Sequence, residues 1–239
     1  AAACGSDKGS AGGGGGGSGA STIIKLGTLF PMTGDLALFG TDMQQSVQQA
    51  VDEINAAGGI KSMGGAKLEI AKGDSQSKPD VAVSEVERFA QQGVSIIMGT
   101  YQSSVALPAT QAAERLQLPF MVSIATADEI TERGYKYTFR MCPKAEWYAK
   151  NELDLCKISQ EIGGPPIKRV ALIHEDTDWG QSTSEGQKKY IKEYGFELVA
   201  DVAYPASSAD LTTQVSKVQA SRPDIVLATT YLNDSILLI

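Results

Sequence analysis

From Thr22 onward, short runs rich in β-branched residues alternate with longer segments whose apolar residues recur every three or four positions. A strand followed by a helix and then by another strand joins its partner most readily through a parallel crossover. The alternation therefore predicts parallel sheets with helices packed on their faces. The first unit reads as a strand over residues 23–29, a loop punctuated by Pro and Gly over 30–40, and a helix capped by Thr41. Met43, Val47, Ala50, Val51 and Ile54 share one face of that helix, and Gly58 and Gly59 end it. Strands at 68–71, 94–98 and 120–123 follow, separated by a helix over 79–92 with Pro79 in its first turn and by one carrying Val105, Ala109, Ala112 and Leu116.

An extended piece at 137–141 precedes Pro143, after which a fresh series begins: a helix over 146–162, a Gly-Gly-Pro-Pro turn, and a strand at 170–174. A helix over 182–194, a strand at 198–204, a helix over 210–220 and a strand at 225–229 complete the pattern. At 239 residues, 42% of them hydrophobic, the chain is long enough for two lobes. The expected division is a segment 1–21, a first lobe over 22–140 and a second over 141–239. The last residues, Ile236 to Ile239, are apolar without a cap or polar tail, which reads as a C-terminally truncated second lobe.

Charge narrows the function. The formal net charge is −7 and no basic run exceeds the pair Lys188 and Lys189, so the footprint for a phosphate backbone is missing and nucleic acid is not an expected partner. No run of about 18 apolar residues is present to span a bilayer. Enzyme signatures are also missing: there is no G-x-G-x-x-G after the first strand, no P-loop, no H-E-x-x-H and no G-x-S-x-G, so neither an enzyme nor a cofactor is expected. His174 is the only histidine, and with no second ligand nearby it reads as structural. Cys142 and Cys156 read as unpaired small core residues. A helix from residue 146 carries Cys156 about 15 Å from its start, while a disulfide needs Cα atoms within about 7 Å.

The N-terminus is unusual. Ala1-Ala2-Ala3-Cys4-Gly5 resembles the end of a bacterial lipobox, in which small residues precede a cysteine that is lipidated after the signal peptide is removed. The Gly-, Ser- and Ala-rich stretch over 6–21 has the composition of a flexible tether. Together they predict a lipid anchor on Cys4, and hence an extracytoplasmic protein at a membrane surface. A sensory ectodomain, the rival reading, would call for a transmembrane helix instead.

In open α/β sheets, ligands sit beyond the carboxyl ends of the strands, which directs attention to the loops at 31–40, 99–104, 123–128, 176–181 and 230–234. Ser103 and Ser104 enter a helix, where hydroxyls and backbone N–H groups could receive a carboxylate or simply cap the helix. Trp179 lies among polar residues that read as loop, and Arg140 reads as a tie at the lobe crossover. Gly27-Thr28-Leu29-Phe30-Pro31-Met32-Thr33-Gly34 is similar to the opening of the branched-chain amino-acid-binding proteins. Asn55-Ala56-Ala57-Gly58-Gly59-Ile60, Gly99 with Ser103 and Ser104, Thr138-Phe139-Arg140, and Asp176-Thr177-Asp178-Trp179-Gly180 resemble that family in the same order.

The resemblance implies a type I periplasmic-binding fold, two Rossmann-like lobes that close on a small amino acid or related amide or aromatic acid. The protein would then act as a monomer delivering its ligand to the permease subunits of an ABC importer. It further implies that Ser103 grips the ligand carboxylate, and that Ala125 and Thr126 bind through a backbone carbonyl and a hydroxyl, with Ile124 able to take one role. Phe39 would form an aromatic wall, and Trp179 and Tyr231 would close from the second lobe.

Overall fold

The computed structural model describes residues 22–239, so the expected anchor at Cys4 and its tether lie outside the described residues. The first sheet contains β1 (Ile23–Phe30), β2 (Lys67–Asp74), β3 (Ile96–Gly99), β4 (Phe120–Val122) and β5 (Thr138–Arg140). All its pairings are parallel and the spatial order is β2-β1-β3-β4-β5. The helices α1 (Ala37–Ala56), α2 (Pro79–Gln91), α3 (Ser103–Arg115) and α4 (Glu129–Glu132) connect these strands. The second lobe follows with α5 (Ala145–Glu161), β6 (Arg169–Glu175), α6 (Asp178–Tyr194), β7 (Glu197–Tyr204), α7 (Thr212–Ala220), β8 (Ile225–Thr229) and α8 (Leu232–Leu237). Its sheet is also parallel, in the order β7-β6-β8.

Parallel strands covered on both faces must be apolar on both faces. β6 shows this directly. Val170 and Leu172 pack with Leu153, Cys156, Tyr190 and Ile191, whereas Ala171 and Ile173 face the opposite way onto Val202, Tyr204, Leu211 and Val218. In the first lobe, Leu29, Ile97 and Phe120 of the sheet join Phe89 and Val86 of α2 and the alanines of α3 in one buried cluster. Each fully buried Phe, Leu or Ile of this kind contributes about 1.5–3 kcal/mol relative to exposure.

The strand orders place the site. In the first sheet the chain moves from β1 outward to β2 and then back to β3 on the other side, so the loops leaving β1 and β3 diverge and open a crevice. The second sheet has the same reversal between β6 and β8.

Three helix starts differ from the sequence expectation. α1 begins at Ala37, because Gly40 belongs to the helix and not to a loop: a Cβ there would meet the Pro31 carbonyl oxygen at 2.1 Å, so only glycine lets the helix lie this close to the chain leaving β1. The inner face of α1 also differs. Ala50 and Ile54 are exposed, while Gln44 is buried with its Oε1 accepting the Thr28 hydroxyl at 2.6 Å. α6 begins at Asp178, which puts Trp179 in a helix's first turn and not in a loop. The cause is Glu175, whose carboxylate accepts the N–H groups of Thr177 at 2.6 Å and Gly180 at 2.7 Å and so takes the part of a side-chain cap. α8 takes up residues 232–234 of the expected loop at 230–234 and runs on to Leu237.

Cys142 and Cys156 are both free thiols, Cys156 buried and Cys142 half-buried. Leu155, which precedes Cys156 in α5, is exposed. His174 is buried between the Glu175 carbonyl, 2.9 Å from Nδ1, and Asp201, 3.1 Å from Nε2, and no metal-holding group of acids, His or Cys occurs among the described residues.

Candidate functional site

A cavity of about 270 Å³ lies where the carboxyl ends of the two sheets face each other. Its first-lobe wall comes from Tyr101 and Ser103 after β3 and from Ile124 and Thr126 after β4. Its second-lobe wall comes from Tyr148 and Glu152 of α5, Trp179 and Thr183 of α6, Ala228 and Thr229 at the end of β8, and Tyr231 just beyond. No Lys, Arg or His lines it among the described residues.

The first-lobe wall presents hydroxyls. Ser103 is buried, and its Oγ accepts the backbone N–H of Ala127 at 3.1 Å, which fixes the side chain and leaves its own proton without an acceptor among the described residues. Ser103 also opens α3, so it lies at the positive end of a 13-residue helix dipole. Thr126 carries a buried hydroxyl with no hydrogen-bond partner. Buried polar atoms are normally paired, and two hydroxyls on one wall of a cavity with donors to spare suit an anionic or acceptor group.

The loop that carries Thr126 is held rigidly. Arg140 donates from Nη1 to the Ala125 carbonyl at 2.7 Å, from Nη2 to the Ala127 carbonyl at 2.6 Å and from Nε to Thr131 Oγ1 at 3.2 Å. Arg140 was expected to tie the lobe crossover; these three bonds instead tie it to residues 125–131 of its own lobe, which bears on another expectation. The Ala125 carbonyl, assigned to the ligand on resemblance, faces Arg140 and also accepts the Cys142 thiol, so Ala125 is buried outside the cavity wall and Ile124 lines it instead.

The second-lobe wall is aromatic. Trp179 and Tyr231 have ring centroids 4.8 Å apart, tilted by 54°, and Tyr231 meets Tyr101 of the opposite lobe at 6.0 Å and 42°. Phe39 stacks behind Tyr101 at 5.3 Å and 8°, so it supports the ring that lines the cavity without lining it itself. Ser104 likewise stands outside, in a neighbouring cleft of about 220 Å³ with Gln102, Asp35 and Ser207. Of the residues expected at the site, the structure brings Ser103, Thr126, Trp179 and Tyr231 together and sets Phe39, Ser104 and Ala125 beside them. Sequence reasoning missed Tyr101, Tyr148, Glu152, Thr183, Ala228 and Thr229.

Burial shapes the titration of this wall. It pushes the phenols of Tyr101 and Tyr231 upward, so both stay neutral donors, and the nearby Glu175 carboxylate adds to the effect at Tyr231. Burial also pushes Glu152 upward, partly offset by the hydrogen bond it accepts from Gln187. The lobes touch at the rim as well: Asp128 N–H donates to Ser182 Oγ at 3.1 Å, and Ser207 Oγ donates to Asp35 Oδ2 at 3.2 Å. The aromatic bridge and these two hydrogen bonds describe lobes drawn together over the cavity.

Comparison with known proteins places this architecture. The model of a family described as periplasmic binding protein matches residues 23–239. The Leu/Ile/Val-binding protein homolog 8 of Brucella abortus (strain 2308) is 36% identical over 218 residues, which are 90% of this chain and 53% of the relative. Homolog 7 of Brucella suis biovar 1 (strain 1330) is 33% identical over 222 residues, 91% of this chain and 55% of the relative. Among solved structures, the branched-chain amino acid transporter substrate-binding protein LivJ of Streptococcus pneumoniae, in complex with isoleucine, superposes with a TM-score of 0.76 at 28% identity, covering 89% of this chain and 58% of that one. The chain thus spans about half the length of the curated relatives it matches. With parallel sheets reversing at matched switch points and a family match over nearly every described residue, the chain belongs to the periplasmic binding protein family.

Proposed function

We propose that this chain is the ligand-binding portion of an extracytoplasmic solute-binding protein serving an ABC importer, and that it takes a small carboxylate, an amino acid of branched-chain type or a related amide or aromatic acid. The observation that carries the reading is the cavity between the lobes, with the hydroxyls of Ser103 and Thr126 on one side and the rings of Trp179 and Tyr231 on the other. A ligand whose carboxylate meets the first wall and whose apolar body meets the second contacts both lobes at once. It therefore favours the closed arrangement over the open one, and a permease can read that shape. Phe39 and Arg140 act at one remove, Phe39 by backing Tyr101 and Arg140 by holding the Thr126 loop. A lipid on Cys4, with residues 6–21 as tether, would keep the protein near its permease at the outer face of the cytoplasmic membrane.

Titration calorimetry with leucine, isoleucine and valine, repeated at two temperatures, tests the reading. One site per chain and a negative heat-capacity change support it, since closure buries apolar surface. Saturation at about 100 times Kd should also stabilise the fold by about 2.7 kcal/mol. Chemical turnover of a bound ligand would contradict it.

A further inference from the structure

Glu152 has no place among the residues that the resemblance assigns to the ligand, yet among the described residues it is the one carboxylate lining the cavity. It follows Tyr148 by four residues on α5, so both side chains project from the same helix face into the second-lobe wall. One carboxylate oxygen, Oε2, accepts the amide of Gln187 at 2.7 Å from the neighbouring α6, and Gln187 is completely buried, so the acid is held in a fixed direction. Its other oxygen, Oε1, has no donor among the described residues. Among the described residues no cationic side chain lines the cavity to neutralise it, and three tyrosines and a tryptophan share its walls. An acid so placed is costly to ionise, as its upward-shifted titration reflects, unless something entering the cavity supplies a donor.

We propose that Glu152 is a specificity-determining residue: Oε1 accepts a hydrogen bond from an ammonium or hydroxyl group on a ligand whose carboxylate is held from the opposite lobe by Ser103 and Thr126. The inference rests on the function proposed above and sharpens it. The preferred ligand carries two polar groups, an acceptor for the first lobe and a donor for the second, with an apolar body between the rings. A purely structural Glu152, tying α5 to α6 through Gln187, would leave ligand choice untouched.

Two matched pairs of probes separate these roles: leucine against 4-methylpentanoate, which lacks the ammonium, and 4-hydroxybenzoate against benzoate, which lacks the hydroxyl. Affinities are measured by calorimetry on the full chain and on Glu152→Gln, which keeps an acceptor for Gln187, with circular dichroism confirming the fold. A hydrogen bond to a carboxylate predicts that the donor-bearing member of at least one pair binds the unaltered chain about tenfold or more tightly. Glu152→Gln should shrink that ratio to within about threefold and leave the donor-free member within about threefold of its original affinity. Glu152→Asp, which keeps the charge but draws it back by one methylene, should give an intermediate ratio. Whichever pair responds identifies the donor. Equal affinities within both pairs for the unaltered chain, or a ratio that survives Glu152→Gln, overturn the role of Glu152 while leaving a carboxylate-binding cavity intact. Failure of all four probes and of leucine's relatives isoleucine and valine to bind overturns both.

Discussion

Gly180→Ala should be among the most damaging single-methyl additions in the second lobe. An ideal Cβ on residue 180 falls 1.9 Å from the Glu175 carbonyl oxygen and 3.0 Å from its Oε1. That first distance is roughly 1.5 Å inside the 3.4 Å at which ordinary contact begins, and the opposing atom is backbone, so no rotamer relieves it. The first turn of α6 must move away from β6. Overpacking of this kind costs about 1–3 kcal/mol. The same shift stretches the hydrogen bond from Gly180 N–H to the Glu175 carboxylate, a charged bond worth about 1.5–3 kcal/mol. Alanine's preference for helix over glycine returns up to about 1 kcal/mol. The net expectation is a loss of about 2–4 kcal/mol, seen as a fall in Tm of roughly 4–16 °C for a chain of this size in thermal unfolding followed by circular dichroism. Because Trp179 rides on the displaced turn, ligand affinity should fall about tenfold or more under conditions where the variant is still folded. A Tm within about 1 °C of the parent, with unchanged binding, would refute the idea that contact between Glu175 and Gly180 sets the position of Trp179.

Asp74 makes a second test. Burial raises its carboxyl, but hydrogen bonds from the Thr33 hydroxyl and from the N–H groups of Gln76, Thr33 and Met32 outweigh it and hold the group below its ordinary 3.8. The lowered value means that the native form favours the ionised acid, so its stabilisation is present above about pH 4 and is lost as pH falls through the lowered value. Asp74→Asn should lower Tm at neutral pH and flatten this acid limb; an unaltered limb would show that the loop after β1 is held by other means. Glu152 and Glu175 have the opposite sign. Burial raises both above the ordinary 4.5, so each favours the folded state most when protonated, and stability should decline as pH rises from about 4.5 through their raised values. Denaturant titrations across that range should show a shallower decline for Glu152→Gln than for the parent, and equal slopes would contradict its burial as an acid.

The two-lobed parallel architecture was legible because strands buried on both faces leave continuous apolar runs such as 170–173, and crossover helices leave an unambiguous period. The loops that line the cavity were legible from the rule that ligands sit beyond the carboxyl ends of strands, as the loop holding Ser103 illustrates, whereas Tyr231 itself was singled out by the family resemblance. Residues projected from the middle of a helix were not. Glu152 lies on α5 between Ala149 and Leu153, in the stripe that buries Ala145, Ala149, Leu153 and Cys156, and an acid on such a stripe was the available signal. Trp179 read as loop because Asp176, Thr177 and Asp178 are as common before helices as in turns, and what decides between them is local: the Glu175 side chain turns onto the N–H groups of Thr177 and Gly180, from a strand-end position where an acid is not an expected cap. Ala125 illustrates the converse limit. Its position in the site loop was readable, but the direction of its carbonyl depends on Arg140, fifteen residues away.

The most direct test of the central claim is a crystal structure of the protein grown with leucine, isoleucine or valine. The account predicts one ligand between the lobes, its carboxylate within about 3 Å of Ser103 Oγ and Thr126 Oγ1 and its side chain against Trp179 and Tyr231. A ligand bound outside this cavity, or one whose carboxylate turns toward the second lobe and leaves both hydroxyls unpaired, would contradict it.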